Sequence, residues 1–303
     1  MLAEKIRRRE SGIVLYGITP PRAETPPEKL LEIARTQRER LAGLPIDGLI
    51  VYDIQDESSR TDKVRPFPFS STISPLDYCN QHLDTLAVPK IVYSAISHST
   101  PERLTAFLEQ CRRERHLTVF VGAASRAQPV ELTMSQAYAV RRGCAGDVLL
   151  GGVTIPERHQ ARGGEHERLF SKVEQGCSFF VSQGVYDVNA SLNLLSEYFY
   201  AARERKLPLV PIIFTLTPCG SVKTLEFSKW LGMAVPPWLE RDLLDTTDIL
   251  ETSLEAAMGN WQTLKRFADK KGIPIGCNVE SVSIRREEIE ASLRLLRHVA
   301  EWR

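Results

Sequence analysis

Asp53 and Glu280 each follow a short apolar run, Gly48–Tyr52 and Pro274–Val279, and Gln183 closes a third, Ser178–Gln183. Ionisable and amide side chains are uncommon inside a core, so three of them at the ends of apolar runs point to binding or acid–base chemistry. A carboxyl drawn partly out of water has its pKa raised and can hold a proton near neutral pH. Gln presents a donor and an acceptor on one flat group, suited to the edge of a polar heterocycle. The residues leave a local alternative open: Asp53 pairing with Arg60 or Lys63, and Glu280 with Arg285 or Arg286. His159 and His166 flank Gly163-Gly164 without a third His or Cys nearby, so no metal site is expected. Cys79, Cys111, Cys144, Cys177, Cys219 and Cys277 are far apart and contain no CxxC pair, which reads as reduced thiols in a cytoplasmic protein.

These candidates need elements to hold them. Eight β-branched or apolar runs alternate with helical patterns: Ile13–Tyr16, Gly48–Tyr52, Lys90–Ala95, Leu117–Val121, Asp147–Gly152, Ser178–Gln183, Leu209–Phe214 and Pro274–Val279. Helices are expected from Pro26-Pro27 to Leu41, after Ser74-Pro75, after Thr100-Pro101, near Leu132–Arg142, Glu165–Gln175, Ser191–Arg205, Ser221–Leu231, Asp248–Lys271 and Arg285–Trp302. The runs are continuous rather than alternating, as strands buried on both faces are. Eight strand–helix repeats predict a single-domain α/β protein, a (β/α)8 TIM barrel using residues 1–303. A doubly wound open sheet competes, but no GxGxxG follows the first run. In a barrel the chemistry lies at the C-terminal strand ends. The stretch from Gln55 to Ser74 exceeds an ordinary βα loop and suggests a lid or ligand loop.

Composition narrows the partners. The 303 residues carry 39 Lys+Arg against 38 Asp+Glu, a net charge of +1, so no nucleic acid or acidic membrane is expected as partner. No apolar run reaches the ~18–20 residues that span a bilayer, and the charged start MLAEKIRRRESG lacks a signal-peptide core. Pro236-Pro237-Trp238 closes a loop over the barrel or forms an oligomer contact, and a homo-oligomer is expected.

The stretch from Gly151 to Asp187, with Pro156-Glu157-Arg158-His159, Lys172 ahead of Gly176, and Gln183 ahead of Tyr186-Asp187, resembles the methylenetetrahydrofolate reductases. Thr19-Pro20-Pro21-Arg22, Ser99-Thr100-Pro101-Glu102, Ile212 to Pro218 and Pro236-Pro237-Trp238 extend the likeness in register over most of the chain. The resemblance implies the same barrel and hydride transfer from NAD(P)H, usually through FAD, to a methylene-folate. His159, Glu165 and Lys172, with Arg168 beside them, match residues that hold the flavin's ribose and phosphates, and Gln183 matches the one that bonds the pterin. Around the flavin ring the chain departs from the family. Gly17 replaces the general-acid Glu, Val121-Gly122-Ala123 replaces Arg-Gly-Asp, Tyr52 and Tyr93 replace Thr and His, and Ile155 and Val222 replace aromatics. The expectation is a reductase with an altered flavin site, with Glu280 or Asp53 as proton donor and Tyr52, Tyr93 and Gly122 lining the cofactor. The alternatives are a repurposed barrel that binds a folate or nucleotide without reducing it, or other one-carbon chemistry. Lys172, helped by Arg158, Arg162 and Arg168, is expected to form a basic edge for the anionic ligands.

Overall fold

The computed structural model describes residues 1–57, 61–123 and 128–303. Arg60, offered above as a partner of Asp53, lies outside these residues. In chain order the elements are α1 (Leu2–Arg7), β1 (Ile13–Ile18), α2 (Pro27–Leu41), β2 (Gly48–Val51), α3 (Pro75–His82) and β3 (Lys90–Ala95). A 3₁₀ turn (Ile96–His98), α4 (Pro101–Arg113), β4 (Leu117–Val121), α5 (Met134–Cys144), β5 (Leu150–Thr154), α6 (Pro156–Arg162) and α7 (Glu165–Glu174) follow. The chain ends with β6 (Cys177–Gly184), α8 (Val188–Arg205), β7 (Ile212–Leu216), α9 (Val222–Trp230), α10 (Pro237–Asp245), α11 (Ile249–Lys271), β8 (Ile275–Glu280) and α12 (Arg286–Glu301). The strands run β1 to β8 in sequence order around one closed parallel barrel, the (β/α)8 architecture the repeat count predicts. No helix among the described residues is long and apolar enough to cross a membrane.

Two compact units divide the chain, one of Gly17–Gly152 and one of Leu2–Tyr16 with Val153–Arg303. In the first, β2, β3 and β4 pair in parallel with Val51 opposite Val92 and Tyr93 opposite Val119. Its helices begin at side-chain caps: Ser74 and Thr100 accept from Asp77 and Arg103, and Thr133 with Gln136 forms a capping box. In the second, β7 and β8 pair with Phe214 opposite Cys277. The Ser11 hydroxyl and Gly12 N–H both donate to the Ile275 carbonyl, drawing β1 against β8. A Cβ on Gly276 would lie 2.6 Å from the Ile13 carbonyl oxygen, so only glycine fits that approach.

Two strands begin three residues later than their apolar runs. The fifth starts at Leu150 rather than Asp147 because the buried Arg141 guanidinium donates twice to the Val148 carbonyl and once to Gly146. Those acceptors are spent on α5 before the sheet begins. The seventh starts at Ile212 because the Val210 N–H donates to the Tyr198 hydroxyl and Pro211 has none to give. Three helices are additional to those expected, α1, α6 and α10. Helix α6 turns directly into α7 through Gly163 and Gly164, both at positive φ (68° and 73°).

Candidate functional site

In the first unit, a cavity of about 600 Å³ is lined by Asp53, Ile54, Gln55, Asp56, Phe69, Ala95, His98 and Gln128. That volume lies within the range of small-molecule sites. Asp53 follows β2, and one of its carboxylate oxygens accepts the Ala95 N–H at 2.7 Å. Desolvation raises the pKa of this carboxyl, against a smaller lowering by the Ala95 N–H and by His98. Beyond it lies a mesh of amides. Gln128 donates to Gln55 at 3.1 Å and to Ser97 at 3.3 Å, and lies 2.7 Å from His98 Nε2, while Ser97 donates to Gln55. Tyr52 and Tyr93 meet edge to face, with ring centroids 4.8 Å apart. Gly122 has the Met134 side chain 3.5 Å from where its Cβ would stand, an ordinary contact.

The second unit holds the other candidates. Glu280 is the last residue of β8 and is half-buried. Burial raises the pKa of the Tyr186 phenol, and Cys219, Glu288 and, least, Glu280 add to the rise. Gln183, near the end of β6, donates to the Leu231 carbonyl at 2.6 Å, and its Oε1 is buried without a partner. The His159 and His166 rings stand edge to face, 5.4 Å between centroids, each with a buried, unpartnered Nδ1. Burial, then His166, lowers the His159 pKa. Among the described residues, no group of three or more His, Cys, Asp or Glu is placed to hold a metal.

The expected basic edge has a different construction. Glu165, at the start of α7, is fully buried. It accepts from the Thr154 hydroxyl at 3.3 Å, the Ile155 N–H at 3.1 Å and Arg158 at 3.2 Å, with Arg168 at 3.8 Å. Lys172 donates to the Val153 carbonyl, and its pKa is lowered by burial with Glu165 opposing. Glu165 and Lys172 thus fasten the end of β5 to α7, and part of the positive charge of Arg158 and Arg168 is answered from inside the protein.

Glu157, named above only within Pro156-Glu157-Arg158-His159, is not set apart by its residue type or spacing. It stands in the first turn of α6, and both carboxyl oxygens are buried with no hydrogen-bond partner from another residue. Desolvation pushes its pKa up to about 7, opposed by its own backbone N–H, with Asp187 and Glu165 adding to the rise. A buried polar group left unpaired costs roughly 1–3 kcal/mol, so such a group in a folded protein calls for an explanation. Gln55, His98 and Gln128 were also missed individually, although the long loop from Gln55 was a signal.

No protein-family model and no curated protein matches the sequence. Among solved structures, a protein of Clostridium thermocellum that binds two copies of 5-methyl-5,6,7,8-tetrahydrofolic acid is 44% identical, with 99% of each chain covered and a TM-score of 0.86. A tryptophan synthase structure from M. tuberculosis is 12% identical over 99% of this chain and 95% of that one, with a TM-score of 0.51, a likeness of fold alone. Identity of 44% sustained end to end means that the chain belongs to the same family as the Clostridium thermocellum protein.

Proposed function

We propose that this protein binds a reduced folate of the methyltetrahydrofolate class, with the pterin ring in the Asp53 cavity. The observation that carries the reading is the end-to-end identity to a protein that binds 5-methyltetrahydrofolic acid. The chemistry of the cavity supports it. A pterin presents an amino group beside a ring N–H, and a carboxylate accepts both. The amides of Gln55 and Gln128 supply further donors and acceptors, and Phe69 supplies an apolar face. Calorimetric titration with 5-methyltetrahydrofolate should give saturable binding that Asp53→Asn weakens at least tenfold, as loss of a charged hydrogen bond does. An unchanged affinity in Asp53→Asn removes Asp53 from the reading, and no binding to the wild type removes the reading itself.

The raised pKa of Asp53 favours a second reading, NAD(P)H-dependent reduction of a methylene-folate, in which Asp53 holds the proton for the ring nitrogen. Glu280 is the other candidate donor. A bound nicotinamide would supply hydride. The residues matched to FAD do not fit it here: Glu165 and Lys172 are engaged with the protein's own backbone, and Tyr52 and Tyr93 pack on each other. The purified protein is therefore expected to lack flavin absorption in the visible range. A yellow protein with stoichiometric FAD would contradict this. NAD(P)H oxidation that depends on methylenetetrahydrofolate, and that falls in Asp53→Asn or Glu280→Gln, is the result that supports reduction. Folate binding without such oxidation leaves a binding protein.

A further inference from the structure

We propose that Glu157 anchors a second reduced-folate site, contained within the second unit, where its carboxylate accepts the paired donors of an amino-pyrimidinone edge. The inference rests on the reduced-folate reading above and concerns a different set of residues. Between Glu157 and Gln183, five buried side-chain polar atoms have no hydrogen-bond partner from another residue: both oxygens of Glu157, Nδ1 of His159, Nδ1 of His166 and Oε1 of Gln183. Both oxygens of one buried carboxyl lacking a partner from any other residue mark a place where a ligand supplies the donors.

The neighbouring acids show which group is free to act. Asp187 is spent on capping α8, accepting from the Asn189 and Ala190 N–H groups. Glu165 is spent on Thr154, Ile155 and Arg158. Glu157 is the acid of the three with both oxygens unassigned. A carboxylate with two acceptors side by side matches a ring N–H next to an exocyclic amine, and a Gln in its place offers one acceptor and one donor. The relative binds two copies of its folate, and the function proposed above assigns one reduced folate to the Asp53 cavity of the first unit.

Protonation supplies an independent handle. The charged groups facing Glu157 are Glu165 at the start of α7 and Asp187 at the cap of α8, and both hold its proton on. Accepting two donors requires the ionised carboxylate, so filling this site releases a proton and its affinity falls as the pH drops below about 7.

Calorimetry with 5-methyltetrahydrofolate, in buffers of different ionisation enthalpy, tests the site. The wild type should bind two equivalents. Glu157→Gln should lose one, weakening it at least tenfold and abolishing the buffer-dependent proton release, while Asp53→Asn should lose the other and keep the release. A pterin without the aminobenzoyl-glutamate tail should compete at the Glu157 site, and the tail without the pterin should not. Two equivalents bound by Glu157→Gln with wild-type affinities overturn the inference and leave the folate reading standing, as does competition by the tail alone. Absence of binding to the wild type overturns both. A thermal melt of Glu157→Gln confirms that the variant is folded.

Discussion

Glu165→Ala should lose about 3–5 kcal/mol of stability, the range for removing one partner of a buried ion pair. The side chain is fully buried and takes the Thr154 hydroxyl, the Ile155 N–H and the Arg158 guanidinium together. Without it, a partly buried N–H and a partly buried guanidinium lose their acceptor, and Lys172 loses the opposing charge that offsets its desolvation. The folded-state pKa of Lys172, already below its ordinary value, should then fall further. A lysine whose folded pKa lies below its unfolded one makes the unfolded state bind more protons, so stability rises with pH across that interval. The deficit of Glu165→Ala should therefore be largest near neutral pH and shrink toward pH ~10. Urea denaturation across that range measures it. Glu165→Gln, which keeps an acceptor but not the charge, should fall between the two. A loss below ~1 kcal/mol in Glu165→Ala, the size of a surface ion pair, would mean that Glu165 does not fasten β5 to α7.

The opposite sign is expected at Glu157. In the folded protein without ligand its pKa stands at about 7, against an ordinary value of 4.5. Between those two values the folded state binds more protons than the unfolded one, so stability declines as pH rises through the interval and levels off above it. The decline attributable to this one group is on the order of 3 kcal/mol. Gln mimics the protonated acid at every pH. Glu157→Gln should thus match the wild type near pH 4 and exceed it at pH 8, with a melting temperature several degrees higher. Equal or lower stability of the variant at pH 8 would show that the carboxyl is not desolvated. A side chain that weakens the fold at working pH and improves it when neutralised is what a functional group with an unmet partner looks like.

The barrel was legible because its strands are continuous apolar runs separated by helical patterns, and that periodicity needs no tertiary information. The misplaced strand starts had tertiary causes: Arg141 reaching the Val148 carbonyl, and the Tyr198 hydroxyl reaching the Val210 N–H. Helix α6 escaped notice because seven residues carry barely two helical turns of pattern. At the site, residue type located Asp53 and Gln183 correctly as groups at strand ends. It could not separate Glu165 from Glu157, two acids eight positions apart. Which carboxylate is satisfied depends on what folds over it: Thr154, Ile155 and Arg158 converge on the first and none of them on the second. Lys172, which the resemblance singled out, donates to the Val153 carbonyl, a contact that residue type and spacing do not reveal.

The seam between β1 and β8 carries an evolutionary consequence. At Gly276 the neighbouring strand stands so near that one added carbon would collide with a carbonyl oxygen. Drift can rewrite the surface of this barrel, and even exchange the ligand it holds, without touching that spacing. Descendants of the common ancestor should therefore keep glycine there whatever they have come to bind. A homologue with any larger residue at the position marks a lineage in which the first and last strands have moved apart.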